Sequence, residues 1–551
     1  MANTIRARQR GISRLEFVVN DFAGGFVSQA ATYNIRERYL ADIQNMELVQ
    51  GMWQKRKGYT LVGSFTGVGS TPHTNKGMHI FNSQGNFHLL AVYDTSLYDT
   101  YLITKENGGK RVTPYLPETE RFRFADFRNY VYIATGQTGL LKYDGNQIKE
   151  VASPVGSLVT IFDNRLLLAG IKGDDLAVYF SQPGNADRWD PLDYFVLDGG
   201  SNERITALVP LQGKLFIFTN QSIYSLAGDM TNFAVTKEVD GIGAISAEAL
   251  TICGNRLYFI SDAGKIYEFD GGSFPLEISA PIALFLESRF SYNALKYAAT
   301  TSYKGAVWFT LDNSIVPQER ITLVYYPDFQ AWTKFTNIPA AAYVKLGNAL
   351  FFTGVHNEGS IYQYDTSYRD DAGLIDAYMK TTKWSFDYLE NIKRFKELYV
   401  RGAIQGGGGN GFDIDFYVDD VKSATVRVTS DIATPTEMWG QNQWGQMYWG
   451  YAAETAGTIW GRANWGSFSW NSAQARLIPK WGHVVWNTFR WGDNAQGSLP
   501  SDVGNIERKL YLSQYNIISG KTLQLVFRDR TPNHGFRVEQ LTLEYIQKGV
   551  R

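Results

Sequence analysis

Seven segments of this chain share one form: a turn built on Gly or Asn, then an apolar, aromatic-rich strand. They are QGNFHLLAVY (Gly85), FRNYVYIATG (Asn129), FDNRLLLAG (Asn164), LQGKLFIFTN (Gly213), CGNRLYFIS (Asn255), YKGAVWFTL (Gly305) and LGNALFFTG (Asn348). Gly and Asn accept a positive φ, so each turn is a hairpin candidate. Most of these strands precede a second one that ends at a polar turn, as in LLKYDG (Leu140–Gly145), SIYSLAG (Ser222–Gly228), KIYEFDG (Lys265–Gly271) and SIYQYDT (Ser360–Thr366). Those alternate apolar and polar residues with the period of a half-buried strand. The step between turns runs from 35 residues (Asn129 to Asn164) to 50 (Asn255 to Gly305). A four-stranded propeller blade takes about 40–50 residues, so residues 61–380 are predicted to form a β-propeller of six or seven blades. A β-sandwich with coincidental turn spacing is the competing fold.

With 551 residues the chain is too long for one simple core, and two to four domains are expected. An aromatic share of 15% and 53 glycines suit an all-β chain rich in turns. A formal net charge of −1 excludes a global basic field for holding nucleic acid. The local cluster Arg6, Arg8, Arg10 and Arg14 reads as an exposed basic arm. Cys253 is the single cysteine, which rules out intramolecular disulfides and cysteine-built zinc sites and points to assembly in a reducing cytoplasm. No apolar run approaches a bilayer-spanning length, and MANTIRARQRGISRLEF lacks the apolar region of a secretory signal.

After Lys383 the repeat stops. RFKELYVRGAI, GFDIDFYVDDV and ATVRVTSD, then ERKLYLSQYNI, KTLQLVFRDR and FRVEQLTLEYI, read as six strands of a β-sandwich. The expected fold class is all-β: a six- or seven-bladed β-propeller plus a C-terminal β-sandwich-like domain with a Trp-Gly-rich insertion. The sandwich-like domain covers 381–435 and 494–551, and the insertion covers 436–493. Residues 1–60 are too few for a core of their own and are expected to pack on the propeller or close its ring.

The insertion holds nine of the fourteen tryptophans in three triplets: Trp439, Trp444 and Trp449; Trp460, Trp465 and Trp470; Trp481, Trp486 and Trp491. Within a triplet the step is 5 (Trp439 to Trp444), and between triplets it is 21 (Trp439 to Trp460). Three roles compete. The indoles could stack as an internal staple in a small insertion poor in aliphatic residues. They could anchor a protein interface, where Trp is enriched. They could bind glycan or the cell surface through their apolar faces. The regular period favours internal packing, since an open binding patch does not require equivalent spacing in three copies.

Catalytic signatures are missing. G-x-S-x-G does not occur, and none of the histidines at 73, 79, 88, 356, 483 and 534 makes H-E-x-x-H or an i, i+4 pair. SGKT (Ser519–Thr522) has Tyr515 where a phosphate loop needs glycine, and it reads as a hairpin turn. GGNGFDID (Gly408–Asp415) nearly matches a calcium-binding nonapeptide, but Asp415 stands at the apolar position and there is one copy. YYPDFQAWTKF (Tyr325–Phe335) lacks the Ser/Thr and Gly of the sialidase Asp-box turn. No catalytic residue, cofactor site or metal site is therefore assigned, and an enzyme is not expected.

DFAGG (Asp21–Gly25) followed by DIQNMELVQGMWQKRKGYTLV (Asp42–Val62) resembles the opening of bacteriophage tail proteins of the nozzle or tail-hub type. The stretch from Ser181 to Gly228 is similar to the propeller blades of such proteins. WSFDYLENIKRFKELYVRG (Trp384–Gly402) and GFRVEQLTLEYIQKGVR (Gly535–Arg551) look like their C-terminal β-domain. The resemblance covers most of the chain except the tryptophan insertion. It implies a virion structural protein of the tail, assembled in the host cytoplasm into a homo-oligomeric ring. Its implied partners are a tail adaptor or hub and other tail proteins, with phage DNA passing through during ejection and no sequence-specific binding. The alternative is a propeller-based tail adhesin that binds host-surface glycan through the tryptophan insertion.

Overall fold

Each of the seven Gly/Asn turns joins the first two strands of its own antiparallel sheet. The computed structural model describes residues 6–8, 14–28, 35–429 and 503–547, apart from 66–67, 69–72, 84, 102–109, 113–114, 230–231, 317, 355, 358, 387–388, 406–410 and 533. By internal contacts the chain forms two units, one of Lys57–Asp371 and one of Met1–Arg56 with Ala372–Arg551.

The first unit is the propeller. Among the described residues its blades begin with the hairpins His73–Ser83/Asn86–Tyr93, Arg123–Phe127/Tyr130–Ala134, Gly156–Phe162/Arg165–Ile171, Ile205–Leu211/Lys214–Thr219, Leu250–Cys253/Arg256–Ile260, Ala299–Tyr303/Ala306–Asp312 and Ala340–Leu346/Ala349–Gly354. Six of these sheets continue with two strands consecutive in sequence. The seventh takes Ser360–Tyr364 as its third strand and the distant Tyr59–Ser64 as its fourth, paired antiparallel. That exchange closes the ring: Phe351 and Ile361 of the seventh blade pack against Met78, Leu89 and Tyr93 of the first.

The second strand of each blade explains why the repeat was visible. It lies between two strands of its own sheet and is covered on both faces, so it reads as a continuous apolar run. Arg165–Ile171 and Ala306–Asp312, for example, are buried at nearly every position. The turns differ from expectation in one detail. Gly85, Asn164, Gly213 and Gly305 are left-handed as expected, together with Asp163, Gln212 and Lys304 before the last three, but in three turns only the preceding residue is: Arg128, Gly254 and Gly347. With Gly in the first turn position, Asn255 and Asn348 need no positive φ.

The other unit contains two sheets. One runs Arg6–Arg8, Arg14–Val19, Gly535–Gln547, Lys393–Gln405, Val503–Tyr511. The other includes Tyr39–Gln44, Ala377–Thr381, Leu523–Asp529, Gly411–Val418 and Val421–Thr429 in that spatial order. Ring contacts link them: Phe412 lies 5.0 Å from Phe536, and Phe17 lies 5.2 Å from Trp384, whose backbone bridges to Leu523.

Within residues 1–60, Arg14–Val19 pairs with Leu541–Ile546 and Tyr39–Gln44 pairs with Ala377–Thr381, partners that the sequence did not reveal. The ring-closing strand begins only at Tyr59. The physical reason is pairing across hundreds of residues, which leaves no local trace in sequence. Arg14 likewise belongs to a sheet, 3.4 Å from Glu544, rather than to a free basic arm.

Candidate functional site

The first strands of neighbouring blades line the propeller axis; Gly156–Phe162 approaches both Arg123–Phe127 and Ile205–Leu211 within 8 Å between Cα atoms. Where these strands begin, a cavity of 820 Å³ opens on the axis, lined by residues of the first six blades and their connections. Its floor is crossed by charge. Arg123, at the start of the second blade, donates Nη1 to Ser157 O at 2.9 Å and sets Nη2 2.8 Å from Glu248 Oε1. Glu248 precedes the first strand of the fifth blade, so this ion pair reaches from one side of the ring to the other. Beside it, Lys296 pairs with Glu120 at 3.2 Å, tying the connection before the second blade to that before the sixth.

The backbone shapes this floor. Gly170, next to last in the second strand of the third blade, has φ +62°, and a Cβ there would stand 2.3 Å from Ser157 Oγ. A side chain at that position would be strained and would push Ser157 into the cavity. Ser246 Oγ donates to Lys296 O at 2.7 Å and Ser157 Oγ to Gly170 O at 3.4 Å, so both hydroxyls serve carbonyls rather than a general base.

Electrostatics follow from the same contacts. Burial raises the Glu248 carboxyl, but the guanidiniums of Arg123 and Arg121 outweigh it and hold the group below its ordinary value. A hydrogen bond from Tyr297 leads the effects that lower Glu120, with Lys296 adding to it. Burial pushes Arg121 down, opposed by Glu248. Both carboxylates are therefore ionised at neutral pH.

The nine tryptophans of the 439–491 triplets lie outside the described residues. Their chain does leave and rejoin the described structure at identifiable places. Val421–Thr429 and Val503–Tyr511 are each the last strand of their sheets, and Arg508 Nε reaches Thr429 O at 3.4 Å. The sequence motifs set aside earlier are turns and ladders. In SGKT, Lys521 N and Thr522 N both donate to Asp419 Oδ1, at 2.9 and 2.8 Å. Asp413 pairs with Arg427 at 3.0 Å and Asp415 with Lys422 at 2.8 Å. Tyr325–Phe335 spans the hairpin between Arg320–Tyr326 and Ala331–Thr336. Among the described residues, no group of three His, Cys, Asp or Glu is placed to hold a metal ion.

The axial charges were not singled out from sequence. The signal was present as ETERFR (Glu118–Arg123), a dense run of charge directly before a blade's first strand.

No family model matches the chain, and no curated protein matches it. Solved structures with similarity include BamB from Moraxella catarrhalis, at 10% identity and a TM-score of 0.36, covering 59% of this chain and 96% of that one. YCF48 bound to D1 peptide is similar at 12% identity and a TM-score of 0.36, covering 58% and 98%. BBS1N in complex with ARL6DN is similar at 10% identity and a TM-score of 0.37, covering 56% and 97%.

Proposed function

We propose that this chain is a non-enzymatic subunit of a bacteriophage tail nozzle or hub, forming a homo-oligomeric ring in the virion around the path of ejected DNA. The observation that carries the reading is the folding together of the segments that resemble tail proteins. Lys393–Gln405 and Gly535–Gln547 are paired strands of one sheet, and Trp53 Nε1 donates to Phe22 O at 2.7 Å, joining DFAGG to the QGMWQKRKGY stretch. The terminal parts of the resemblance thus fall on paired strands rather than on scattered loops, and its Ser181–Gly228 part falls on blade strands.

The propeller's own axis is not the conduit in this reading. The Arg123–Glu248 pair across it, 2.8 Å long, leaves no passage for a duplex, so the lumen forms between subunits. A near-neutral chain suits such a lumen, because each added cationic contact would strengthen the hold on passing DNA.

The test is mass spectrometry of purified virions together with the native mass of the isolated protein. Presence in tails and a discrete ring-sized species on tails or in solution are expected. Absence from every virion particle, with a strict monomer in the presence of tail partners, overturns the reading.

A second reading is a tail adhesin: the described chain breaks off after Val421–Thr429 and resumes at Val503–Tyr511, each the last strand of its sheet. It requires Trp444→Ala or Trp465→Ala to abolish binding to host cells while the protein stays folded.

A further inference from the structure

Beyond the Arg123–Glu248 and Lys296–Glu120 pairs, the axial cavity is lined by the cations Lys76, Arg121, Lys172 and Arg204 against the carboxylates Glu118 and Asp175, so cations are in excess. Arg121 lines it, and its single hydrogen bond among the described residues runs from Nη1 to Asn75 O at 3.3 Å. Among the described residues no carboxylate lies within ion-pair distance of it, and Glu248, which pairs with Arg123, attracts it from farther away. A guanidinium carries five N–H donors in a planar fork that matches an oxyanion. Arg121 therefore presents unused donors to a half-buried space, where a ligand can exchange with water for them.

Two further cations surround the same space. Lys76, from the first blade, and Lys172, following the second strand of the third blade, line the cavity and make no ion pair among the described residues. The Tyr297 ring forms part of the wall, with the Arg121 guanidinium 5.8 Å from its centroid. At 820 Å³ the cavity falls in the size range of small-molecule sites, about 300–1,000 Å³. Inorganic phosphate would fill a small part of it.

We propose that the axial cavity binds a small organic oxyanion of about sugar size, with Arg121 holding its carboxylate or phosphate and Lys76 and Lys172 drawing it in. Tyr297 offers an apolar face against the rest of the ligand. This assignment concerns the propeller alone and stands whether or not the chain belongs to a tail.

Calorimetric titration of the full chain with glucuronate, glucose 6-phosphate and inorganic phosphate tests it. One or both sugar acids are expected to bind with a Kd of about 1 mM or tighter, more weakly at high salt. Uronate or sugar phosphate as the tighter ligand identifies the anionic group. Arg121→Gln is expected to weaken binding about tenfold or more, the effect of losing charge-assisted hydrogen bonds. The double variant Lys76→Gln/Lys172→Gln alters the cavity without touching its floor. It is expected to weaken binding and flatten its salt dependence, which keeps the test decisive should Arg121→Gln misfold. No binding of either sugar acid to folded wild-type protein overturns the proposal. So does affinity unchanged in the double variant, or inorganic phosphate binding as tightly as the sugar acids.

Discussion

Lys55 and Asp529, which stand near opposite ends of the sequence, meet 3.0 Å apart with neither side chain exposed to solvent. Lys55 Nζ also donates to Thr531 O at 2.6 Å. The neighbouring Arg56 is equally buried and donates Nε to Asn45 Oδ1 at 2.9 Å. A buried pair is strongly sensitive to loss of one member, because the other is left charged without its partner. Lys55→Met is expected to destabilise the two-sheet unit by on the order of 3–5 kcal/mol. Hydrogen exchange across Leu523–Asp529 should accelerate, while exchange in the propeller strands should be unchanged.

His534 shares that interior. Its ring lies 3.7 Å from Asp529 and is fully buried, and burial depresses its pKa, with Asp529 opposing and Lys55 adding to the depression. The unfolded chain accepts a proton at this residue near pH ~6.5, whereas the folded chain accepts it only at lower pH. Between those values the unfolded state binds more protons, so stability falls as pH falls below about 6.5. Denaturant midpoints between pH 8 and pH 5 (roughly the range of imidazole titration) should show this slope, and His534→Asn should flatten it.

The Arg123–Glu248 pair makes a prediction of opposite chemistry. Glu248→Gln leaves two guanidiniums facing a neutral amide and is expected to lower propeller stability by about 2 kcal/mol at neutral pH, as for a hydrogen bond to a charged group. The folded pKa of Glu248 is depressed, so its contribution is fully present above the unfolded value near ~4.3 and lost as pH falls through the folded one. The wild-type and Glu248→Gln midpoints should therefore converge in acid. A constant difference across that range would contradict the assigned pairing.

Ring closure rests on Tyr59. Its ring packs edge-on against Phe352 at 5.0 Å and Tyr362 at 5.1 Å, and its hydroxyl donates to Asn337 O at 2.9 Å. Tyr59→Ala is expected to cost roughly 3–5 kcal/mol, the range for large aromatic truncations in a core. Proteolysis should then begin in the seventh blade, at Ala340–Tyr364, rather than in the third or fourth.

The blades were legible because each one repeats a local event. A turn at Gly85, Asn164 or Gly305 and a strand buried on both faces are adjacent in sequence, so periodicity alone exposes them. What stayed hidden depends on distance along the chain. LVGS, at the end of Tyr59–Ser64, carries no mark of pairing with Ser360–Tyr364. QKRKGY sets three basic residues side by side, yet Lys55 and Arg56 are among the largest fully buried side chains of the described structure. The axial cavity was hidden for a related reason: Glu118–Arg123 and Glu248 look like ordinary surface charge until the ring brings them together. The tryptophan triplets lie outside the described residues, so their role is addressed only by the cell-binding variants.

The seventh blade also has a consequence for how such a chain can be rearranged. Gly58 N donates to Ser367 O at 2.6 Å and Asp371 N to Tyr59 O at 2.8 Å, so the backbone begins and ends the propeller at one spot. A Cβ on Gly58 would lie 1.8 Å from Arg369 O, which makes glycine a requirement of that juncture. A body whose two connections are neighbours is a cassette in the genetic sense. One recombination event at each side of the juncture can exchange the ring as a single piece.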